Sequence, residues 1–256
     1  MNGFIMNDYL IPNLIKASQL LSLLARSKKP VSASEIESAL NLPKATAFRI
    51  LRTFEHTGYV VKTEGKFRTG PALVEIGILS LTQVEIRKVA VPVLQKLTDA
   101  TGFTSHLAIL SGHKSLILEV RDSPNPVQVA SRPGSLVDLY CTSTGKVFLA
   151  FNLYDQLEDV FSQNPPQSHT ARTITGLEEL KASLHQVKTQ GYATDDREFH
   201  EDIRCVAAPV RNINDEVIAA IGVTAPVAQF PQSTQKKVIQ HVMDAAQCLS
   251  NQMGCI

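Results

Sequence analysis

Apolar positions recur with two different periods along this chain, and the change of period divides it. From about Pro12 to Ala25, Leu14, Ala17, Leu20, Leu21 and Leu24 return every three to four positions, which predicts a helix with one buried stripe. Lys28-Lys29-Pro30 ends it. Ser32 stands three residues before Glu35, the spacing at which a hydroxyl and a carboxylate cap a helix N-terminus together. Ile36, Ala39 and Leu40 give the short helix that follows an apolar face. Asn41 suits its end, and Pro43 is tolerated in the first turn of the next helix. That helix turns Ala47, Ile50, Leu51 and Phe54 inward and Lys44, Thr46, Arg49 and Thr53 outward. After Gly58 the period falls to two: Tyr59-Val60-Val61-Lys62 and Lys66-Phe67-Arg68-Thr69 flank a Glu64-Gly65 turn, so a hairpin is predicted. Two crossed helices followed by a basic hairpin have the order of a winged helix-turn-helix, the second helix entering the DNA major groove.

The remaining pattern predicts a different kind of domain. Pro71 to about Leu81 is apolar almost all round, unsuited to a solvated spacer; it can pack on a second copy or on the chain's own C-terminal domain. Glu85 to Ala100 reads as a helix that starts near Val91 or kinks at Pro92. Strands are predicted over Thr104–Leu110, Ser115–Arg121, Val127–Ser131, Cys205–Val210 and Val217–Thr224, the last two joined by a polar hairpin loop. Helices are predicted over Cys141–Phe151, Leu153–Phe161, Gly176–Gln190 and from Pro231 onward. Strands flanked by helices indicate an α+β fold with helices packed on a mixed sheet.

Charge sharpens the division. Residues 1–70 carry ten Lys/Arg against five acids, and the rest carries 15 against 19, so a basic head sits on a mildly acidic body. The four cysteines, Cys141, Cys205, Cys248 and Cys255, form no CxxC pair, which argues against a zinc framework or a disulfide scaffold. No apolar run reaches the length of a membrane span and no signal peptide is evident, so a soluble cytoplasmic protein is expected.

Three segments carry a resemblance: LNLPKATAFRILRTFEHTGYV in the head, CTSTGKVFLAF after the third strand, and GYATDDREFHEDIRCVAAPVRN late in the chain. From about Leu14 onward the chain resembles the IclR family of bacterial transcriptional regulators. The resemblance implies a winged helix-turn-helix over residues 8–70, a linker helix over 71–84 and a GAF-like effector-binding and oligomerisation domain over 85–256. It also implies binding to a double-stranded operator as a homodimer, with pairing of dimers as a further option, and no cofactor.

In the head, Lys44, Ala45, Thr46 and Arg49 occupy the base-facing half of the second helix. Arg49 suits a guanine edge or a phosphate, and Thr46 a thymine methyl or a phosphate. Arg52, Ser32, Ser34, Lys62, Lys66 and Arg68 suit the DNA backbone. Phe48, one step off the core positions, is expected to pack rather than stack on a base. In the body, the resemblance implies that a small organic acid meets Ser143, Thr144 and Gly145 at a helix N-terminus, together with Asp195, Cys205, Gly222 and Thr224. Free N–H groups at such a terminus favour a carboxylate. Gly222 stands where relatives can offer a serine, leaving room there for a bulkier ligand. Apolar walls are expected from Leu107, Leu118, Val129, Leu139 and Ile203. The bland alternatives are a plain N-cap for Thr142 to Thr144, inert packing for Cys205 and a loop cap for Asp195. Asp196, His200 and Cys205 could together hold a metal, although a solvated loop histidine reads more simply. A repressor of a catabolic operon controlled by the acid is the expected function. The alternative is a cysteine-dependent hydrolase using Cys205 with Asp195 and one of His106, His113 or His200; no nucleophile elbow, P-loop or dinucleotide fingerprint supports it.

Overall fold

The computed structural model describes residues 10–83, 85–126, 129 and 131–255. They form two compact units, divided between Val84 and Glu85. The first contains α1 (Pro12–Arg26), β1 (Val31–Ser32), α2 (Ala33–Leu40), α3 (Lys44–His56), β2 (Val60–Thr63), β3 (Lys66–Thr69) and α4 (Pro71–Gln83). The three strands pair in the order β1-β3-β2, all antiparallel. The predicted capping box is present: Glu35 N–H donates to Ser32 Oγ and Ser32 N–H donates to Glu35. Asn41 ends α2 in the left-handed region at φ 48°, a conformation asparagine tolerates better than most residues. Leu20 and Leu24 of α1, Ile36 of α2, Leu51 of α3, Val60 and Phe67 form this unit's core. Helical periodicity thus converges on one small core, and the outward residues of α3 are left to solvent. In α4, Val74, Ile76 and Ile78 are exposed in the single chain, although its all-round apolar sequence predicts a packed helix.

The second unit is built on a six-stranded sheet. Its elements are α5 (Glu85–Thr101), β4 (Thr104–Ser111), β5 (Lys114–Arg121), β6 (Leu136–Val137), α6 (Ser143–Phe151), α7 (Leu157–Gln163), α8 (Leu177–Gln190), β7 (Ala193–Asp196), β8 (Ile203–Arg211), β9 (Val217–Pro226) and α9 (Gln232–Gln252). The strand order is β6-β5-β4-β9-β8-β7. The α+β class holds, but the pairings among the described residues are all antiparallel, replacing the mixture of directions expected. Helix α5 runs through Pro92 from Glu85 rather than starting at Val91. It packs with α9 on one face of the sheet, where Ser105 Oγ donates to the Leu94 carbonyl. Helices α6 and α8 cover the other face, and Phe148, Leu180, Leu184, Ala193, Ala207 and Ala220 join one core there.

Alternation decides which residues reach which face. Ser105 and Leu107 point towards α5, so His106 and Ala108 point towards α6. Across the sheet, Asp195, Cys205 and Thr224 stand in register as one row with Thr104, and Ala193, Ala207, Gly222 and His106 form the next. The predicted strand at Val127–Ser131 falls on positions of which 127, 128 and 130 lie outside the described residues; Val129 and Ser131 are in no strand.

Candidate functional site

Helix α3 offers its outer face as a stripe. Ala45, Phe48, Arg49 and Arg52 are exposed at spacings of three, four and seven, with Lys44 beside them. Ala47 and Leu51 on the opposite side are buried and hold the helix to the core. Thr46 is only half-buried, and it shares a groove against α1 with Arg49, Ile50 and Leu14. Arg52 is held by Glu55 at 3.0 Å. On the hairpin, Lys62, Lys66 and Arg68 are exposed, and the Lys62 ammonium sits 5.4 Å from the centre of the Phe67 ring. Ser34 is exposed, whereas the Ser32 hydroxyl is engaged by its cap with Glu35 and by Ser34 Oγ at 3.1 Å. The residue that sequence reasoning undervalued is Phe48. It is 62% exposed in the middle of the stripe, not packed, and its spacing to Ala45 and Arg52 is the signal that gives it away.

The second unit holds a cavity of about 170 Å³ between the α6 face of the sheet and the N-terminus of α6. Ser143, Thr144, Asp195, Cys205 and Thr224 line it, five of the seven residues named for a ligand, together with His106 and the apolar Ile117, Val129, Val137 and Ile203. Ser143 and Thr144 are the first two residues of α6, whose N–H groups a helix leaves without internal partners. Thr142 is the N-cap and accepts from Gly145 N–H at 3.2 Å. Arg132 is the one Lys or Arg among the lining residues, and sequence reasoning missed it because it lies in an unpatterned loop.

Gly145 and Gly222 do not line the cavity; they let backbones approach. A Cβ on Gly145 would lie 2.4 Å from the Leu139 backbone, and one on Gly222 would lie 2.4 Å from the Val206 carbonyl oxygen. The room expected beside Gly222 is therefore filled by protein. Three expected walls also fail. Alternation turns Leu107 to the α5 face, Leu118 is the unpaired residue of a bulge and does not line the cavity, and Leu139 packs in the core beneath α6. Ile117 and Val137 stand in their place.

The polar groups behind the lining are tightly arranged. Asp195 Oδ1 accepts from Glu198 N–H at 2.7 Å and Phe199 N–H at 3.4 Å. Burial nevertheless pushes its carboxyl up to about 7, with the Glu198 charge adding to the rise. Lys146, 3% exposed, donates to Glu198 at 2.5 Å and to the Thr194 carbonyl at 3.1 Å. Glu198 itself is pushed up by burial against the opposing pull of Lys146, and its Oε2 has no hydrogen-bond partner among the described residues. Cys205 donates to Thr224 Oγ1 at 3.1 Å, and burial followed by the Asp195 charge raises its thiol well above the ordinary value. A thiol held protonated is a poor nucleophile, so the cysteine-hydrolase chemistry has no activated sulfur here. Burial lowers His106 to about 4.

The residues weighed for a metal do not converge. Asp196 is the neighbour of Asp195 on a strand and so faces away from Cys205; it is bound by Arg204 at 2.8 Å and Arg172 at 2.6 Å. Its partial burial pushes the carboxyl up, but the Arg204 hydrogen bond and the arginine charges hold it below the usual value. His200 is exposed and accepts from Asp202 N–H. Among the described residues, the potential ligands that do gather are Asp138, Cys141 and His169, within 4.8 Å of one another. There the Lys114 ammonium pairs with Asp138, and burial pushes the Cys141 thiol up to about 12.

Comparison with known families decides what head and cavity belong to. The family described as "IclR helix-turn-helix domain" matches residues 14–64, and "Bacterial transcriptional regulator IclR C-terminal" matches residues 78–251. The chain belongs to the IclR family of bacterial transcriptional regulators. Its relatives include the HTH-type transcriptional regulator XynR of Escherichia coli (strain K12), 29% identical over 96% of this chain and 98% of that one. The probable transcriptional regulator SauR of Cupriavidus necator is 31% identical over 84% and 86%. Among solved structures, the Thermotoga maritima IclR aligns with a TM-score of 0.71 at 27% identity, covering 94% of this chain and 98% of its own. An IclR homolog from Microbacterium hydrocarbonoxydans, solved with 4-hydroxybenzoate, shares the fold with a TM-score of 0.81 at 23% identity, over 94% and 99%. This IclR-family chain is thus a DNA-binding transcriptional regulator rather than an enzyme. No helix among its described residues is long and apolar enough to cross a membrane.

Proposed function

We propose that this regulator is a cytoplasmic repressor of a catabolic operon, released or retained on its operator by a small carboxylate bound in the α6 cavity. The observation that carries the reading is the convergence of Ser143, Thr144, Asp195, Cys205 and Thr224 on one cavity at a helix N-terminus. The helix terminus supplies the positive potential that an acid needs, and Arg132 adds to it by leaving its 3.6 Å pair with Asp122. Thr224 Oγ1 accepts from Cys205 and so keeps its own O–H proton for a ligand. On the DNA side, Lys44, Ala45, Thr46 and Arg49 read bases from α3, while Arg52, Ser34, Lys62, Lys66 and Arg68 contact the backbone. Ser32 contributes through its cap. A homodimer, and pairing of dimers, would set two heads at a fixed half-site spacing, with the exposed apolar face of α4 available for that association.

Two variants of the full chain test this. Arg49→Ala should abolish the gel shift of DNA upstream of its own gene, and unchanged binding would remove α3 as the reading helix. A thermal-shift screen of carboxylates should find an acid whose stabilisation disappears in Thr224→Val. The fold shared with a 4-hydroxybenzoate complex makes that acid a natural first probe. Stabilisation retained in Thr224→Val would put the ligand elsewhere.

A further inference from the structure

One polar side chain of the cavity is left unsatisfied by the protein itself. His106 is 5% exposed and lines the cavity, and its Nδ1, which has almost no accessible surface of its own, has no hydrogen-bond partner among the described residues. The sheet register explains this. Across β4 and β9 the residue opposite is Gly222, and across β4 and β5 it is Val120, neither of which has a side chain able to donate or accept. Several neighbouring polar groups are engaged already: Asp195 with two backbone N–H groups, Cys205 with Thr224, Thr142 with Gly145. A leucine or phenylalanine would fill the same wall without stranding a polar atom, and buried polar atoms are rarely stranded.

Burial keeps this imidazole neutral at physiological pH, so it presents one N–H donor and one bare acceptor nitrogen. A carboxylate or ketone only accepts and satisfies one tautomer alone. A hydroxyl both donates and accepts, and therefore satisfies whichever ring nitrogen a ligand reaches, in either tautomer. The carboxylate end of a ligand is served elsewhere, by the α6 N-terminus and Arg132. The sheet side, carrying Asp195, suits an uncharged group.

We propose that His106 is the selectivity residue of this cavity: it binds a hydroxyl of the effector, so that the ligand class is a hydroxycarboxylate rather than a plain carboxylate. The inference rests on the carboxylate reading of the cavity, and its test separates the two. Matched pairs of acids are titrated calorimetrically into the full chain: 4-hydroxybenzoate with benzoate, lactate with propionate, gluconate with hexanoate. In the best-binding pair, the hydroxylated acid should bind the unmodified chain about tenfold more tightly than its partner. His106→Leu should bring the two acids to within about twofold by weakening the hydroxylated one, and His106→Asn should restore part of the difference. Thr224→Val should weaken both acids alike.

A preference that survives His106→Leu, or that is absent from the unmodified chain while Thr224→Val still abolishes binding, overturns the role of His106 and leaves the carboxylate reading intact. Binding untouched by both variants, or no binding by any acid, overturns both. Where His106→Leu does not fold, side-chain ¹⁵N NMR of the unmodified chain gives the answer. The hydroxylated acid should shift the resonances of one neutral buried histidine that its deoxy partner leaves in place; identical spectra with the two acids would contradict the proposal.

Discussion

Replacing Asp195 by asparagine should stabilise this protein, and only above a predictable pH. The carboxyl lies in the cavity wall, 1% exposed, with Oδ1 bound by two N–H groups that an asparagine oxygen would accept equally well. What the substitution removes is a charge. Burial raises the Asp195 pKa from 3.8 to about 7, so ionising it inside the fold costs about 4 kcal/mol more than in the unfolded chain. The sign follows from linkage. A carboxyl raised in the folded state leaves stability untouched below pH 3.8, erodes it steadily between 3.8 and about 7, and erodes it no further beyond. Urea unfolding of both chains from pH 4 to 8.5 reports this group together with Glu198, whose charge is coupled to it, while titrations elsewhere cancel in the difference. Asp195→Asn should match the original at pH 4, gain about 1.4 kcal/mol per pH unit thereafter, and level off above pH 7. A difference that does not vary with pH, or an asparagine variant less stable at pH 8, would refute the argument.

Lys146→Met should destabilise the second unit by about 3–5 kcal/mol, because it leaves Glu198 buried without its partner. Adding Glu198→Gln should recover most of that loss, as denaturant midpoints of the single and double variants would record. Gly222→Ser should cost roughly 2 kcal/mol or more, since its Cβ would lie 2.4 Å from the Val206 oxygen. Calorimetric melting of the variant checks it; an unchanged midpoint would mean the strands can part. Phe48→Ala should weaken operator binding by about tenfold through lost apolar contact with a base edge. Replacing individual operator thymines by uracil, which deletes the methyl group alone, should reproduce the loss at one position and have no further effect in the variant.

The head was legible because its signals are local. Ser32 with Glu35, Asn41 with Pro43, and the switch from helical to alternating period at Gly58 each act within a few residues, and the observed elements follow them closely. The cavity was legible only by resemblance, since its members come from α6, β7, β8 and β9 and meet through sheet register. Strand β7 escaped notice because ATDD has no apolar alternation; its buried Asp195 is a polar residue on the inner face, where a pattern reader expects an apolar one. The walls went astray for a related reason. Leu107 and Leu118 are apolar on a two-sided buried sheet, and composition cannot tell which face an apolar residue serves. Gly145 and Gly222 looked like ligand contacts, but their lack of a Cβ serves backbone approach.

The central claim is that occupancy of the α6 cavity changes how the head holds DNA. Fluorescence anisotropy of labelled upstream DNA, titrated with the full chain with and without the acid that most raises its melting temperature, measures this directly. Saturating acid should change the operator Kd by roughly 5–150-fold, the range of ordinary allosteric coupling, and Thr224→Val should abolish the change while leaving the acid-free Kd in place. An operator Kd identical with and without saturating acid would contradict it.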